Sequence, residues 1–219
     1  MEFRASGVDL PLSGHDAYAF SPTTLVVADG VGSWSQRGVD PAIWSHMLVS
    51  EIALTVDSVV DEEGLLDGLR TAVARCRAAG SSTLTMVAIN GPDTALAYNL
   101  GDSSWWHIRD GSIIGRSTEM LHGPNRPFQV GRDLDMSMVS DHVDDGETRL
   151  LELAIGDRIV LVSDGLTKLL DPSDLAAIVQ DEDPAIAASL LMEIMTDLRN
   201  GSYVHLRDDI TALVAEVVQ

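Results

Sequence analysis

Only one of the 219 residues is a cysteine, Cys76, so no intrachain disulfide can form and the core alone has to hold the chain together. Cys76 shares a helical stripe with Leu66, Leu69 and Val73, a spacing that predicts a buried thiol without chemistry. Aromatic residues are scarce, 5% against 45% apolar in total, which points to a core of Val, Leu, Ile, Ala and Met. Cations are scarce too. Lys and Arg number 14 against 34 Asp and Glu, a formal net charge of -20, and this balance argues against nucleic acid as a partner because a phosphate backbone needs a cationic face. The six histidines show no paired metal-binding spacing, and with one cysteine this argues against structural zinc. No apolar run approaches the roughly 20 residues of a membrane span, and Met1-Glu2-Phe3-Arg4 opens no apolar leader. These absences predict a soluble, cytoplasmic, monomeric protein forming one domain over 1–219, with no membrane partner.

What the chain has in quantity is acid, and it sits at the ends of strand-like runs. Leu25-Val26-Val27-Ala28 stops at Asp29-Gly30, and Ile159-Val160-Leu161-Val162-Ser163 stops at Asp164-Gly165. A carboxylate at the end of a buried strand is rigidly held yet lies at the rim of the fold, where it can bind a metal. Arg207-Asp208-Asp209-Ile210-Thr211 opens the last strand-like run and brings further oxygens to the same rim. Asp-Gly is also a common turn signal, and Asp110-Gly111 is read as a plain turn. The other two pairs are followed by polar residues and a helix, not by the second strand of a hairpin. Asp16, in Gly14-His15-Asp16-Ala17, either reaches this cluster or makes a hydrogen bond in a turn. Asp102, in Asn99-Leu100-Gly101-Asp102-Ser103, either joins the site or completes a type I′ turn. His15 is the one histidine near the acidic residues.

Asp40-Pro41 is an N-cap followed by proline at the first helical position, and it predicts a helix with apolar positions Ile43, Met47, Leu48, Ile52 and Val56. A second helix is expected from about 64 to 79. Thr83 to Ile89, Thr94 to Leu100 and Ser104 to Ile108 read as an antiparallel meander, with Trp105 and Trp106 on opposite faces. Residues 117–147 lack periodicity and read as an irregular loop or flap. A strand at 158 to 163, helices at about 172 to 180 and 184 to 199, and a strand from Asp209 to Val218 complete the chain. Runs of strands set against runs of helices indicate an α+β fold, a four-layer α-β-β-α sandwich of two mainly antiparallel sheets flanked by helix pairs.

Val27-Ala28-Asp29-Gly30-Val31-Gly32, Gly80-Ser81-Ser82-Thr83, Asn99-Leu100-Gly101-Asp102-Ser103, Val162-Ser163-Asp164-Gly165 and Asp208-Asp209-Ile210-Thr211, in this order, resemble the successive motifs of the metal-dependent Ser/Thr protein phosphatase family, the PPM or protein phosphatase 2C type. The resemblance spans nearly the whole chain. Asp29-Gly30-Val31-Gly32-Ser33-Trp34 with Gly38-Val39-Asp40-Pro41, and Asn125-Arg126-Pro127-Phe128-Gln129, resemble its compact subgroup, which includes mitochondrial eukaryotic members. The family resemblance implies hydrolysis of phosphoserine and phosphothreonine in protein substrates, dependent on two Mg²⁺ or Mn²⁺ ions. It implies that Asp29 bridges the two ions, that the Gly30 carbonyl completes one, that Asp164 and Asp208 hold the other, and that Asp16 orients metal-bound water. All-oxygen coordination suits these ions, and two of them about 3.5 to 4 Å apart can acidify a shared water.

Three residues depart from the family pattern. His15 stands where the family often has Glu, and Pro11 falls near its phosphate-binding Arg, with Arg4, His15 or Arg37 as candidate replacements. Lys168 stands where many relatives carry an Asp that helps a third ion; a cation there should weaken third-ion binding at Asp102, or tether phosphate. These departures keep open a second reading, a catalytically weak PPM-fold regulatory or phosphoprotein-binding module. A third is an acidic interaction protein whose Asp-Gly pairs are ordinary turns.

Overall fold

The computed structural model describes residues 1–56, 59, 61–139, 141–180, 183–201 and 208–219. Strands β1 (Glu2–Leu10), β2 (Asp16–Phe20) and β3 (Thr24–Asp29) precede helices α1 (Pro41–Thr55) and α2 (Glu62–Arg75). Next come β4 (Gly80–Ser82), β5 (Leu84–Ile89), β6 (Thr94–Leu100), β7 (Ser104–Arg109) and β8 (Ser112–Arg116), then the short β9 (Leu121–Gly123), β10 (Arg126–Pro127) and β11 (Val130–Arg132). The chain continues through β12 (Glu147–Glu152), β13 (Arg158–Val162), the single turn α3 (Asp164–Thr167), α4 (Pro172–Gln180), α5 (Pro184–Asn200) and β14 (Ile210–Val218).

Two five-stranded sheets stack face to face, one in the order β1-β14-β13-β7-β8 and the other β12-β6-β5-β3-β2. Every pairing within them is antiparallel. Three apolar layers follow. Leu25, Val27, Trp105, Leu161 and Leu213 pack between the sheets. Val26, Met86 and Tyr98, on the other face of the second sheet, meet Trp44, Leu48 and Leu69 of α1 and α2. Trp106, Val160 and Val214, on the outer face of the first sheet, meet Leu175, Val179 and Leu191 of α4 and α5. The central strands are buried on both faces because each face has its own apolar partner, which makes β3 and β13 near-continuous apolar runs. The α-β-β-α architecture is therefore the one the element order predicts, with Trp105 and Trp106 on opposite faces of β7.

Local chemistry explains most element ends, and also the departures from expectation. The Asp40 carboxylate accepts from the Ala42 N–H at 3.0 Å and caps α1. The buried stripe of α1 is Trp44, Leu48 and Ile52, whereas Ile43 is 51% exposed. The expected meander is broken between Leu100 and Ser104: β5 and β6 pair in one sheet and β7 and β8 in the other. Gly101 makes that crossing at φ 113°, and a Cβ there would lie 2.6 Å from Thr83 Cγ2, so only glycine fits. Residues 101–103 are thus a link between layers and not a hairpin turn. Asp110 and Gly111, both at positive φ, do form a plain hairpin turn. Residues 117–147 contain the β9–β10 hairpin, and β11 pairs with β4. The edge strands β1 and β12 escape sequence reading because their partners β14 and β6, more than their own side chains, make them strands.

Candidate metal centre

The strand ends named in the sequence converge where the two sheets meet. Asp29 is the last residue of β3, and Asp16, the first of β2, is its direct cross-strand partner. From the other sheet, Asp164 follows β13 and Asp208 precedes β14. A cleft of about 250 Å³ is lined by Asp29, Gly30, Asp102, Asp164 and Asp208 together with His15 and Thr83. Asp16 is outside this lining, across the β2–β3 pair from Asp29.

So many acids in one place perturb each other. Burial, then the like charges of Asp16, Asp164 and Asp208, holds the Asp29 acid well above the usual carboxylate range. Burial pushes Asp16 up to about 6. Burial, then Asp164, pushes Asp102 up to about 7. Burial and the Asp208 charge also raise Asp164. Among the described residues, neither oxygen of Asp16 nor Oδ1 of Asp164 has a hydrogen-bond partner, and both groups are buried. Among the described residues one cation reaches the cluster: the Lys168 ammonium lies 2.6 Å from Asp164 Oδ2 and 2.9 Å from Asp208 Oδ2.

The frame around these acids is made of hydroxyls, backbone and glycine. The Asp29 N–H donates to Thr83 Oγ1 at 3.2 Å, and the Thr83 N–H donates to the Asp29 carbonyl at 2.9 Å. Thr83 Oγ1 in turn pairs with Ser103 Oγ at 2.8 Å, tying β3 to the crossing beside Asp102. A Cβ on Gly30 would lie 2.7 Å from the His15 carbonyl oxygen, and one on Gly165 would lie 2.0 Å from that of Asp209. Each Asp-Gly pair therefore needs glycine for a close backbone approach. Asp209 serves the site from behind: its carboxylate accepts the backbone N–H groups of Leu12, Ser13, Gly14 and His15. Although burial opposes ionisation, these four donors hold Asp209 below the usual range.

Among the described residues, no three His, Cys, Asp or Glu side chains close on one point as metal ligands. The donor set nevertheless fits a hard divalent cation, because it is all oxygen, buried, partly unpartnered and short of positive charge.

A family model described as Stage II sporulation protein E (SpoIIE) matches residues 21–218. The chain belongs to this family of PP2C-like phosphatase domains. Protein phosphatase PTC7 homolog fig of Drosophila virilis is 32% identical over 176 residues, 70% of this chain and 54% of the relative, so the chain spans about half of that protein's length. The X-ray structure of the photosystem II phosphatase PBCP superposes with a TM-score of 0.82 at 21% identity, covering 99% of each chain. The catalytic domain of the serine/threonine phosphatase PstP, a complex with two manganese ions, superposes at 0.71 with 19% identity over 100% of this chain and 99% of that one.

Against the PP2C-like pattern, the candidate replacements for the arginine missing near Pro11 are placed unequally. Arg4 pairs with Glu216, and with Asp183 at 3.5 Å. Arg37 pairs with Asp133 at 2.6 Å and lies over the Trp34 ring. Neither lines the cleft, whereas His15 does. Arg207 lies outside the described residues. Sequence reasoning passed over Thr83 as a site residue and took Asp209 only as the neighbour of Asp208. Both precede β14, and the structure separates them: Asp208 lines the cleft while Asp209 turns to the backbone of residues 12–15.

Proposed function

We propose that this chain is a Mg²⁺- or Mn²⁺-dependent protein phosphatase that hydrolyses phosphoserine and phosphothreonine with an activated water. The observation that carries this reading is the convergence of Asp29, Asp164 and Asp208 at one cleft, with Asp16 against Asp29 and, among the described residues, a single ammonium to balance them. Bound there, a pair of divalent ions supplies Lewis-acid polarisation of the phosphoryl oxygens and lowers the pKa of water. Asp29 and the Gly30 carbonyl hold the sheet-edge side, and Asp164 and Asp208 hold the opposite side. Asp16, with both oxygens free across the strand pair from Asp29, orients the attacking water. Asp102 is the candidate for a third ion. His15, in the cleft wall, contacts the substrate phosphate. Thr83 and Asp209 act through others, fixing Asp29 and the 12–15 loop. No side chain has to serve as nucleophile.

The test is Mn²⁺-dependent phosphate release from an aryl phosphate and from a phosphopeptide. Retention of full activity by Asp29→Ala and Asp208→Ala would remove the reading. That no arginine lines the cleft among the described residues favours the second reading, a catalytically weak phosphoprotein-binding module. Turnover above a metal-only blank eliminates it.

A further inference from the structure

Lys168 is the only lysine in the chain; the other 13 of its 14 Lys and Arg residues are arginine. It follows α3, one helical turn beyond Asp164, and its ammonium sits on one oxygen each of Asp164 and Asp208. Those two carboxylates are the ones assigned above to a divalent ion, and the present inference rests on that assignment. An ammonium at 2.6 and 2.9 Å already neutralises part of the charge a divalent ion would use there, and two cations on one carboxylate pair repel, so they compete for it. The Asp29 side is different, since among the described residues no Lys or Arg lines the cleft there.

We propose that Lys168 is a displaceable internal cation that guards the Asp164–Asp208 position, so that the ion at Asp29 loads first and the second enters in competition with the ammonium. The residue type suits this role. Lysine carries a compact point charge on a flexible four-carbon stem, whereas a bidentate guanidinium would lock the pair in a planar fork. Its side chain is 37% exposed, so the stem has an open path to solvent. Displacement also makes chemical sense for the carboxylates: Asp164 Oδ1 has no partner while lysine holds Oδ2, and an ion at this position would gain a ligand the ammonium leaves unused.

Calorimetric titration of the full chain with Mn²⁺ tests this. Two unequal sites are expected, and Lys168→Met should strengthen the weaker one by about tenfold or more, the equivalent of one charge-assisted hydrogen bond, while the tighter site moves little. Arg116→Gln, which removes one positive charge elsewhere, should leave both sites within about threefold, because exposed charges are screened at this range. A second measurement needs no substitution. Acylation of the one ε-amine by an N-hydroxysuccinimide ester, read by mass, should rise during the Mn²⁺ titration at the concentration that fills the weaker site. Two sites with unchanged affinities in Lys168→Met, or acylation that stays constant or falls as Mn²⁺ is added, overturns the lysine proposal and leaves the metal reading standing. Absence of any Mn²⁺ binding overturns both.

Discussion

Asp16 and Asp29 stand directly opposite one another across the antiparallel β2–β3 pair. Like charges in that register destabilise a sheet; burial holds Asp16 above its usual range, and burial with the charges of Asp16, Asp164 and Asp208 does the same for Asp29. The fold thus stores electrostatic cost at the one place where cations would relieve it. Asp29→Asn is expected to raise the thermal midpoint of the metal-free protein while lowering Mn²⁺-dependent turnover by about 10²–10³-fold. A melt in chelator together with a phosphate-release assay checks both halves, and an unchanged rate would count against Asp29 as the central ligand.

Burial of these acids sets a pH dependence. Burial pushes Asp16 up to about 6 and Asp102 up to about 7 in the folded protein, against 3.8 for an unperturbed carboxyl group. Their folded-state values are raised, so their contribution to stability is fully present below about pH 4 and is lost as pH rises through 6 and 7. The thermal midpoint of metal-free protein should carry a component that falls across this window. Asp102→Asn should flatten its upper part, and saturating Mn²⁺ should flatten it because the ion replaces the proton. A family of melts between pH 4 and 8 would show an identical profile for Asp102→Asn if the assignment were wrong.

Asp209→Ala removes one carboxylate and leaves the four N–H donors of Leu12, Ser13, Gly14 and His15 without their acceptor. A loss of about 3 kcal/mol in urea unfolding is expected, with weaker Mn²⁺ binding because the loop that leads into Asp16 is released. Asp209→Asn should retain part of both.

Thr83→Val keeps the shape of the side chain but removes the hydroxyl that accepts from Asp29 N–H and pairs with Ser103. Mn²⁺ affinity should drop about tenfold or more, the usual range for a group that orients a ligand. The circular dichroism spectrum should not change. Equal affinity in calorimetry would show that the strand alone positions Asp29.

Gly165→Ala would place a methyl group 2.0 Å from the Asp209 carbonyl oxygen, in rigid backbone. Overpacking of this kind costs about 1 to 3 kcal/mol, and here the upper end is expected from chemical denaturation.

The order of the elements and the Asp-Gly strand ends were legible in the sequence because both are local. An apolar run closed by Asp-Gly identifies a strand and its end without knowledge of its neighbours, and segregated helices and strands allow few layerings. On that basis the four-layer sandwich and Asp29, Asp164 and Asp208 could be named. The exit at Gly101 was not legible as a crossing, since Gly-Asp between two strands fits a hairpin equally well until the sheets claim β6 and β7 separately. Nor was the identity of the edge strands, which depends on partners more than on their own composition.

By itself, then, the sequence determined the layers, the carboxylates at the strand ends, the absence of disulfides and the scarcity of cations. Only the tertiary structure decided how those acids are used: Asp16 against Asp29, Asp209 turned away to gather four backbone donors, and the sole lysine seated on Asp164 and Asp208. The physical reason is that a residue's type and its place on a strand are properties of the chain, whereas charge pairing depends on distances between segments up to 212 residues apart, and folding alone sets those.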